Sequence, residues 1–370
     1  MIFIDLARAL AVVFMLYGHT IDALLAAPYR TGTWYDVWQF QRGLTSSLFL
    51  LLSGFAFSVA TGRHWASHTT WSPAVLKRVR RFATFVLLGY ALHFPAARFV
   101  EMPKASPEQW RIFFSSDVLQ LIGITFIGVQ VLVLLTRSRT VFTVAGLVLS
   151  VAIVLAAPHM WAVDWTRWLP MPIAAYLMPI LGTQLPLFPL FPWSAFVLIG
   201  ASLGQIYARW GSSDLTRFAW SALLLPGVVL VGVALGLRSS RAADWWTGPG
   251  ASLPGDVTIR VGTCLLILSA IAFASRRVTS LPHVFSAVAQ ETLVIYFVHL
   301  CLVYGSVWAP GLWQIYGPAL DPLQTFKFVV GLIASMVALA WWWNWLKHAR
   351  PRAARAVALV TGAALFGRLL

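Results

Sequence analysis

The sequence predicts an all-α fold: a polytopic integral membrane protein, built as a bundle of about eleven transmembrane helices. Of its residues, 59% are hydrophobic and 11% are charged, whereas soluble domains have about 25% charged residues. The mean hydropathy is +0.77. The 19 tryptophans are typical of a chain with many helix ends at the membrane surface, where amphipathic rings collect. No repeat or composition shift divides the chain, so we expect one domain over residues 1–370.

Apolar runs of about 20 residues mark the transmembrane helices, because that length crosses the hydrocarbon layer. They lie near residues 2–25, 42–61, 79–95, 115–136, 140–158, 189–208, 218–237, 257–275, 285–306, 323–346 and 352–369. Between the fifth and sixth runs, the sequence LPMPIAAYLMPILGTQLPLFPLFPW contains six prolines, which interrupt helical hydrogen bonding. We expect a re-entrant or surface segment there, since irregular backbone at membrane depth needs cover from protein or a wet cavity.

Basic residues are concentrated in alternate loops, and this pattern predicts the orientation of the chain in the membrane. With a cytoplasmic N-terminus, Asp214 is the one acid of the cytoplasmic loops. Their basic residues are Arg63, Lys77, Arg78, Arg80, Arg81, Arg137, Arg139, Arg209, Arg217, Arg276, Arg277, Lys347, Arg350, Arg352 and Arg355. We expect a bacterial inner-membrane location. Because the net charge of +15 is scattered over these short loops, we do not expect nucleic-acid binding.

The first span carries a polar stripe along an otherwise apolar helix. Arg8 and His19 are eleven residues apart, which places them within about 20° of one another and about 16 Å apart along the helix axis. Asp5 and Asp22 lie one turn outside each of them, within about 100° of the same stripe. A cation at membrane depth costs roughly 2.5–3.5 kcal/mol, so such residues normally face a bundle interior or a wet cavity. The stripe is therefore a candidate functional site, although Asp5 and Arg8 could also simply neutralise each other.

Other polar residues fall at two depths of the predicted bundle. Asp117 and His299 lie at the outer level with His19, and Glu291 lies at the inner level with Arg8. Asp117 could instead cap the fourth span, because Asp is favoured at a helix N-cap. His299 could instead make a structural interhelical hydrogen bond. The sequence contains no HExxH pattern, nucleotide-binding glycine loop or cysteine pair at zinc spacing, so we expect no metal site.

Four stretches of the chain resemble a known group of membrane enzymes. The opening FIDLARALAVVFMLYGH, residues 3–19, resembles the first span of the transmembrane acyltransferase superfamily. Three others resemble the heparan-α-glucosaminide N-acetyltransferase-like branch: SSDVLQLIGI (115–124), PLFPLFPWSAFVLIGASLG (186–204) and ETLVIYFVH (291–299). The acyltransferase-3 family, which is similar in its Arg–His spacing, is the alternative.

The resemblance implies transfer of an acyl group, usually acetyl, from cytosolic acetyl-CoA to a sugar hydroxyl or amine outside. His19 would be the general base, with Asp22 or Asp117 orienting its imidazole and His299 stabilising the oxyanion or holding the acceptor. Cations at the inner mouth would bind the phosphates of the donor. The residues assigned to this donor site are Asp5, Arg8, Arg78, Arg80 and Arg81.

Several alternatives stay open at this point. A covalent acetyl-His intermediate is compatible with the same residues, and the sequence does not distinguish O- from N-acylation. Polar residues at two depths and a proline-broken segment would also suit a transporter or flippase. The expected partners are acyl-CoA, a glycan or amino-sugar acceptor and the lipid bilayer, and a homo-oligomer is compatible with the sequence.

Overall fold

The computed structural model describes residues 2–180, 187–238 and 254–370. Within these residues the fold is all-helical, as predicted, and the only other pairing is two isolated backbone bridges. Twelve helices, labelled α1 to α12, occupy the eleven predicted places. They are α1 Ile2–Leu24, α2 Thr33–Arg63, α3 Pro73–Leu92, α4 Val118–Thr136, α5 Arg139–Ala162, α6 Leu190–Gly211, α7 Leu215–Leu237, α8 Pro254–Ser275, α9 His283–Gln290, α10 Thr292–Val303, α11 Pro322–Ala349 and α12 Pro351–Gly367.

Short helical segments occupy several of the connections. They are Ala27–Tyr29, Trp65–His68, Phe99–Lys104, Pro107–Phe114, Trp165–Arg167, Met171–Ala174 and Leu312–Tyr316. The Pro-rich stretch contains one helical turn, Met171–Ala174, and then irregular backbone, as its prolines predict. Ala174 and Ile180 are buried, so this stretch packs against the protein. Residues 181–186 of the stretch lie outside the described residues.

Not every helix at a predicted place is long and apolar enough to cross a membrane. Among the described residues, eight helices are long and apolar enough to cross a membrane. The number is nine if the bent pair α9–α10 counts as one span. Helix α3 differs because it carries four cations, Lys77, Arg78, Arg80 and Arg81, in its first half. Helix α12 differs because it has only 17 residues. The chain is therefore a polytopic helical membrane protein in which these two segments are the most polar and the shortest of the predicted spans.

The chain forms two compact units, and the first consists of Met1–Thr45, Ala91–Phe113 and Val278–Leu370. In this unit α1 packs against α9, α10 and α11. The backbone N–H of Leu320 donates to the carbonyl of Leu24 (2.9 Å), so the segment before α11 lies beside the end of α1. The indole of Trp308 donates to the carbonyl of Leu365 (2.9 Å), which ties the end of α12 to the loop after α10.

The second unit consists of Ser46–Tyr90 and Phe114–Arg277. In it α5 packs on α6, and α7 packs on α8. Helix α2 approaches α6 at two glycines: a Cβ atom added to Gly54 would lie 1.9 Å from the carbonyl oxygen of Val197, and one added to Gly200 would lie 1.9 Å from that of Leu51. Small residues at these two positions therefore allow the backbones to touch, as in many membrane helix pairs. The single domain expected over residues 1–370 stays a prediction.

Candidate active site

Helix α1 is unbroken from Ile2 to Leu24 and carries Asp5, Arg8, His19 and Asp22. Asp5 lies in the first turn, where a carboxylate interacts favourably with the helix dipole. The side chains of Asp5, Arg8 and His19 are all partly exposed, whereas the positions next to them, such as Ala7 and Thr20, are buried. The predicted polar stripe thus lies along one side of a regular helix, and apolar positions on the other side, such as Leu10 and Val13, are also partly exposed.

His19 lies beside two other polar rings in the first unit. Its Nδ1 atom is 2.9 Å from the hydroxyl oxygen of Tyr304, and the two rings meet edge to face with centroids 5.4 Å apart. The centroid of the His299 ring is 5.3 Å from that of His19. Helices α1 and α10, which are distant in sequence, therefore bring together the two histidines that the sequence placed at one depth.

The hydrogen bond of His299 fixes one of its ring protons. Its Nδ1 atom is 2.8 Å from the carbonyl oxygen of Ile295, and a carbonyl only accepts, so Nδ1 must carry the hydrogen. In the neutral ring Nε2 is then an acceptor, and it becomes a donor only when the imidazole is protonated. His299 is fully buried, whereas His19 is partly exposed. Of the two side chains, that of His19 is the more exposed.

Tyr304 is the site residue that the sequence analysis missed. It caps the C-terminal end of α10, and its backbone N–H donates to the carbonyl of Leu300 (2.9 Å). A tyrosine five residues after His299 is not on the same helical face, so helix periodicity alone did not single it out. Its position at the end of the span that carries a predicted site histidine is the sequence feature that could have identified it.

Asp22 contacts arginines at the end of α1. Its carboxylate forms an ion pair with Arg42 of α2, and its backbone carbonyl accepts from Arg30 (2.8 Å). Arg30 also donates to the carbonyl of Leu25 (2.9 Å), so the turn after α1 is held by arginine side chains. If Asp22 orients His19, it must do so while it is paired with Arg42. This role stays a prediction.

The remaining predicted site residues lie in the second unit. Asp117 is the N-cap of α4, and its carboxylate accepts from the backbone N–H of Val118 (2.6 Å). Asp117 therefore stands at the N-cap position that was the alternative to a catalytic role. Its assignment as a catalytic residue stays a prediction.

Two cations of α3, Arg78 and Arg81, lie over aromatic rings of the same unit. The guanidinium of Arg78 is 4.4 Å from the ring centroid of Phe57, a distance typical of a cation–π contact. Burial, and then the positive charge of Arg78, lowers the pKa of His68, which lies outside the spans in the helix Trp65–His68. Arg80 and Arg81 are exposed. These residues form a basic surface, and the assignment of the three arginines to the donor phosphates stays a prediction.

The chain was compared with known families. The family model described as heparan-alpha-glucosaminide N-acetyltransferase, catalytic, matches residues 1–239, which include α1 with Arg8 and His19. A search of curated proteins gives no significant match.

Proposed function

The chain belongs to the heparan-α-glucosaminide N-acetyltransferase family, and on that premise we propose that it transfers an acetyl group from cytosolic acetyl-CoA to a sugar hydroxyl or amine on the outer side of the membrane. The acceptor is a glycan or an amino sugar. The observation that carries this proposal is the group of His19, His299 and Tyr304, in which an accessible imidazole is held by a hydroxyl beside a second, buried imidazole.

His19 is the general base of the proposed reaction. If its Nδ1–H donates to the hydroxyl of Tyr304, Nε2 keeps a lone pair that can take the proton of the acceptor hydroxyl or amine. The acceptor then attacks the thioester carbonyl, the carbon–sulfur bond breaks, and the proton passes from His19 to the CoA sulfur. A positioned base of this kind contributes about 10²–10⁴ in rate.

His299 is the oxyanion-stabilising group in this scheme. Because Nδ1–H is used by the carbonyl of Ile295, only the protonated ring can donate from Nε2 to the oxygen that becomes negative during attack. Tyr304 is a positioning residue, since it acts through His19 by holding the orientation of that imidazole ring.

The place of Arg8 on α1 supports the assignment of the donor site. Arg8 lies on the same face as His19, about 16 Å away along the axis, a distance that a slim pantetheine arm can bridge. In the proposed orientation Arg8 is near the cytoplasmic side, where its guanidinium would bind phosphate oxygens by charge-assisted hydrogen bonds. When bound, acetyl-CoA supplies the activated thioester that drives the transfer without an ion gradient. The cytoplasmic N-terminus and a bacterial inner-membrane location are part of this proposal.

Acetyl transfer by the purified full-length protein tests the proposal. Protein in detergent is mixed with acetyl-CoA carrying a labelled acetyl group and with a panel of amino sugars and glycans, and labelled product and free CoA are measured. The expected result is equimolar release of both, dependent on His19 and independent of any gradient. Gradient-driven uptake of a sugar into liposomes, with no transfer over the whole panel, would overturn the proposal in favour of a transporter.

A further inference from the structure

A sharp bend interrupts the chain just before the helix that carries His299. Helices α9 and α10 meet at 74°, and Glu291 is the single residue between them. A helix that begins at such a break has backbone groups without helical partners, so its direction depends on the side chains that hold the junction. The bend therefore needs a tether, and Glu291 is placed to provide it.

The carboxylate of Glu291 is tied to α11 by two side chains. One of its oxygens is 2.6 Å from the ammonium nitrogen of Lys347 and accepts a hydrogen bond from the amide of Asn344 (2.9 Å). The Glu291 side chain is only 3% exposed, whereas that of Lys347 is 40% exposed. A carboxylate so deeply buried is compatible with a folded protein only when it is paired and hydrogen-bonded, as it is here.

Asn344 holds both sides of the bend. The same amide nitrogen that donates to Glu291 lies 3.1 Å from the side-chain oxygen of Gln290, the last residue of α9. Asn344 is buried, and its backbone carbonyl accepts from Nδ1 of His348 (2.7 Å). One residue of α11 thus fixes the end of α9 and the start of α10 together.

We propose that Glu291, Asn344 and Lys347 form a clamp that sets the direction of α10 and thereby positions His299 and Tyr304 against His19. That His19, His299 and Tyr304 take part in acetyl transfer rests on the proposed function. His299 is eight residues from Glu291, about 12 Å along α10, and Tyr304 caps the other end of this 12-residue helix. Because α11 also packs against α1, the clamp fixes α10 relative to α1, the helix that carries His19.

Three substitutions separate the parts of the clamp. Glu291→Gln keeps an oxygen for Asn344 but removes the charge that faces Lys347. Asn344→Leu removes both amide hydrogen bonds, and Lys347→Met leaves the buried carboxylate without its cation. Lys327→Met is the matched control, since Lys327 is an exposed lysine of the same helix. Size-exclusion profiles and melting temperatures show which variants fold.

For the folded variants we expect kcat for acetyl transfer to fall about 10- to 100-fold, the scale of a displacement of about 1 Å at a reacting group. The KM for acetyl-CoA should stay within about twofold, because the clamp does not touch the donor. The charge-swapped double variant Glu291→Lys with Lys347→Glu should recover much of the lost kcat. If the clamp had only a structural role, its variants would have lower melting temperatures but unchanged kcat, and this result would contradict the proposal.

A distance measurement decides the inference without relying on activity. Spin labels are placed at the exposed positions Val13 of α1 and Leu302 of α10, in a chain whose Cys264 and Cys301 are replaced by alanine. We expect the distance distribution to shift or broaden in Asn344→Leu and to stay unchanged in Lys327→Met. An unchanged distribution in every clamp variant would overturn the clamp. Absence of acetyl transfer by the unmodified protein would overturn the proposed function alone.

Discussion

The Nδ1 atom of His19 lies 2.9 Å from the hydroxyl oxygen of Tyr304, a residue 285 positions further along the chain. This hydrogen bond joins the first helix of the sequence to the end of α10. It holds the imidazole edge to face against the phenol ring, with centroids 5.4 Å apart. Because the hydrogen bond holds one ring nitrogen of His19, it also fixes the position of the other. A general base must be positioned in this way.

Replacing Tyr304 with phenylalanine tests the value of that hydrogen bond. Tyr304→Phe keeps the ring but removes the hydroxyl, so we expect kcat to fall about 3- to 10-fold, the equivalent of one net hydrogen bond. The KM for acetyl-CoA should not change. Steady-state kinetics of CoA release measure both, with Tyr316→Phe, which alters an exposed tyrosine, as control. Equal kcat values for the two variants would show that Tyr304 does not position the base.

The sequence predicted most of the helices, because they follow from local patterns, whereas the depth assigned to the site residues stays a prediction. Hydropathy marks the spans, and helix periodicity places Arg8 and His19 on one face. The sequence placed His299 and His19 at one depth, and in the structure their ring centroids are 5.3 Å apart.

The partners of these residues could not be predicted in the same way. Asp22 or Asp117 was expected to orient His19, and this stays a prediction, but the sequence did not indicate the ion pair of Asp22 with Arg42 or the contact of His19 with Tyr304. Which polar groups pair depends on side-chain rotamers and on how helices distant in sequence pack, and neither is a local property. The bend at Glu291 was missed because its tethers, Asn344 and Lys347, lie more than 50 residues away on α11.

Variants of His19 and Arg8 should separate chemistry from donor binding. His19→Ala removes the base, so we expect transfer to fall about 10²- to 10⁴-fold while acetyl-CoA still binds. Arg8→Ala removes a cation from the donor site, so we expect weaker acetyl-CoA binding. Calorimetric titration with acetyl-CoA in detergent, alongside turnover, measures the two effects.

His283→Ala is the control for this pair, since His283 is an exposed histidine of the first unit. Full transfer activity in a folded His19→Ala variant would exclude His19 as the base. Unchanged acetyl-CoA affinity in Arg8→Ala would remove Arg8 from the donor site.

The two imidazoles predict a bell-shaped dependence of kcat on pH. Base catalysis needs an unprotonated His19, whereas donation from Nε2 of His299 needs a protonated ring, because Nδ1–H is used by Ile295. The rate should fall in acid as His19 becomes protonated and fall in alkali as His299 loses its proton.

His299→Gln tests this assignment. The amide of glutamine is neutral at all pH values and can donate, so the alkaline decline should disappear while the acidic decline remains. His299→Leu has no donor and should lose about 10²–10³ in kcat. Profiles of kcat against pH for the two variants and the unmodified protein distinguish these cases. An alkaline decline that persists in His299→Gln would assign it to another group.

The orientation of the chain determines which end of α1 faces acetyl-CoA. Ser138 stands between Arg137 and Arg139, and Ser106 stands in a less basic loop, so the positive-inside rule places Ser138 in the cytoplasm and Ser106 outside. Both residues are exposed in the structure. In a chain with Cys264 and Cys301 replaced by alanine, a membrane-impermeant maleimide applied to intact cells should label Ser106→Cys and not Ser138→Cys. Both variants should be labelled after permeabilisation. The reverse pattern would put His19 at the cytoplasmic end and Arg8 at the far side, and the donor site proposed on α1 would then be wrong.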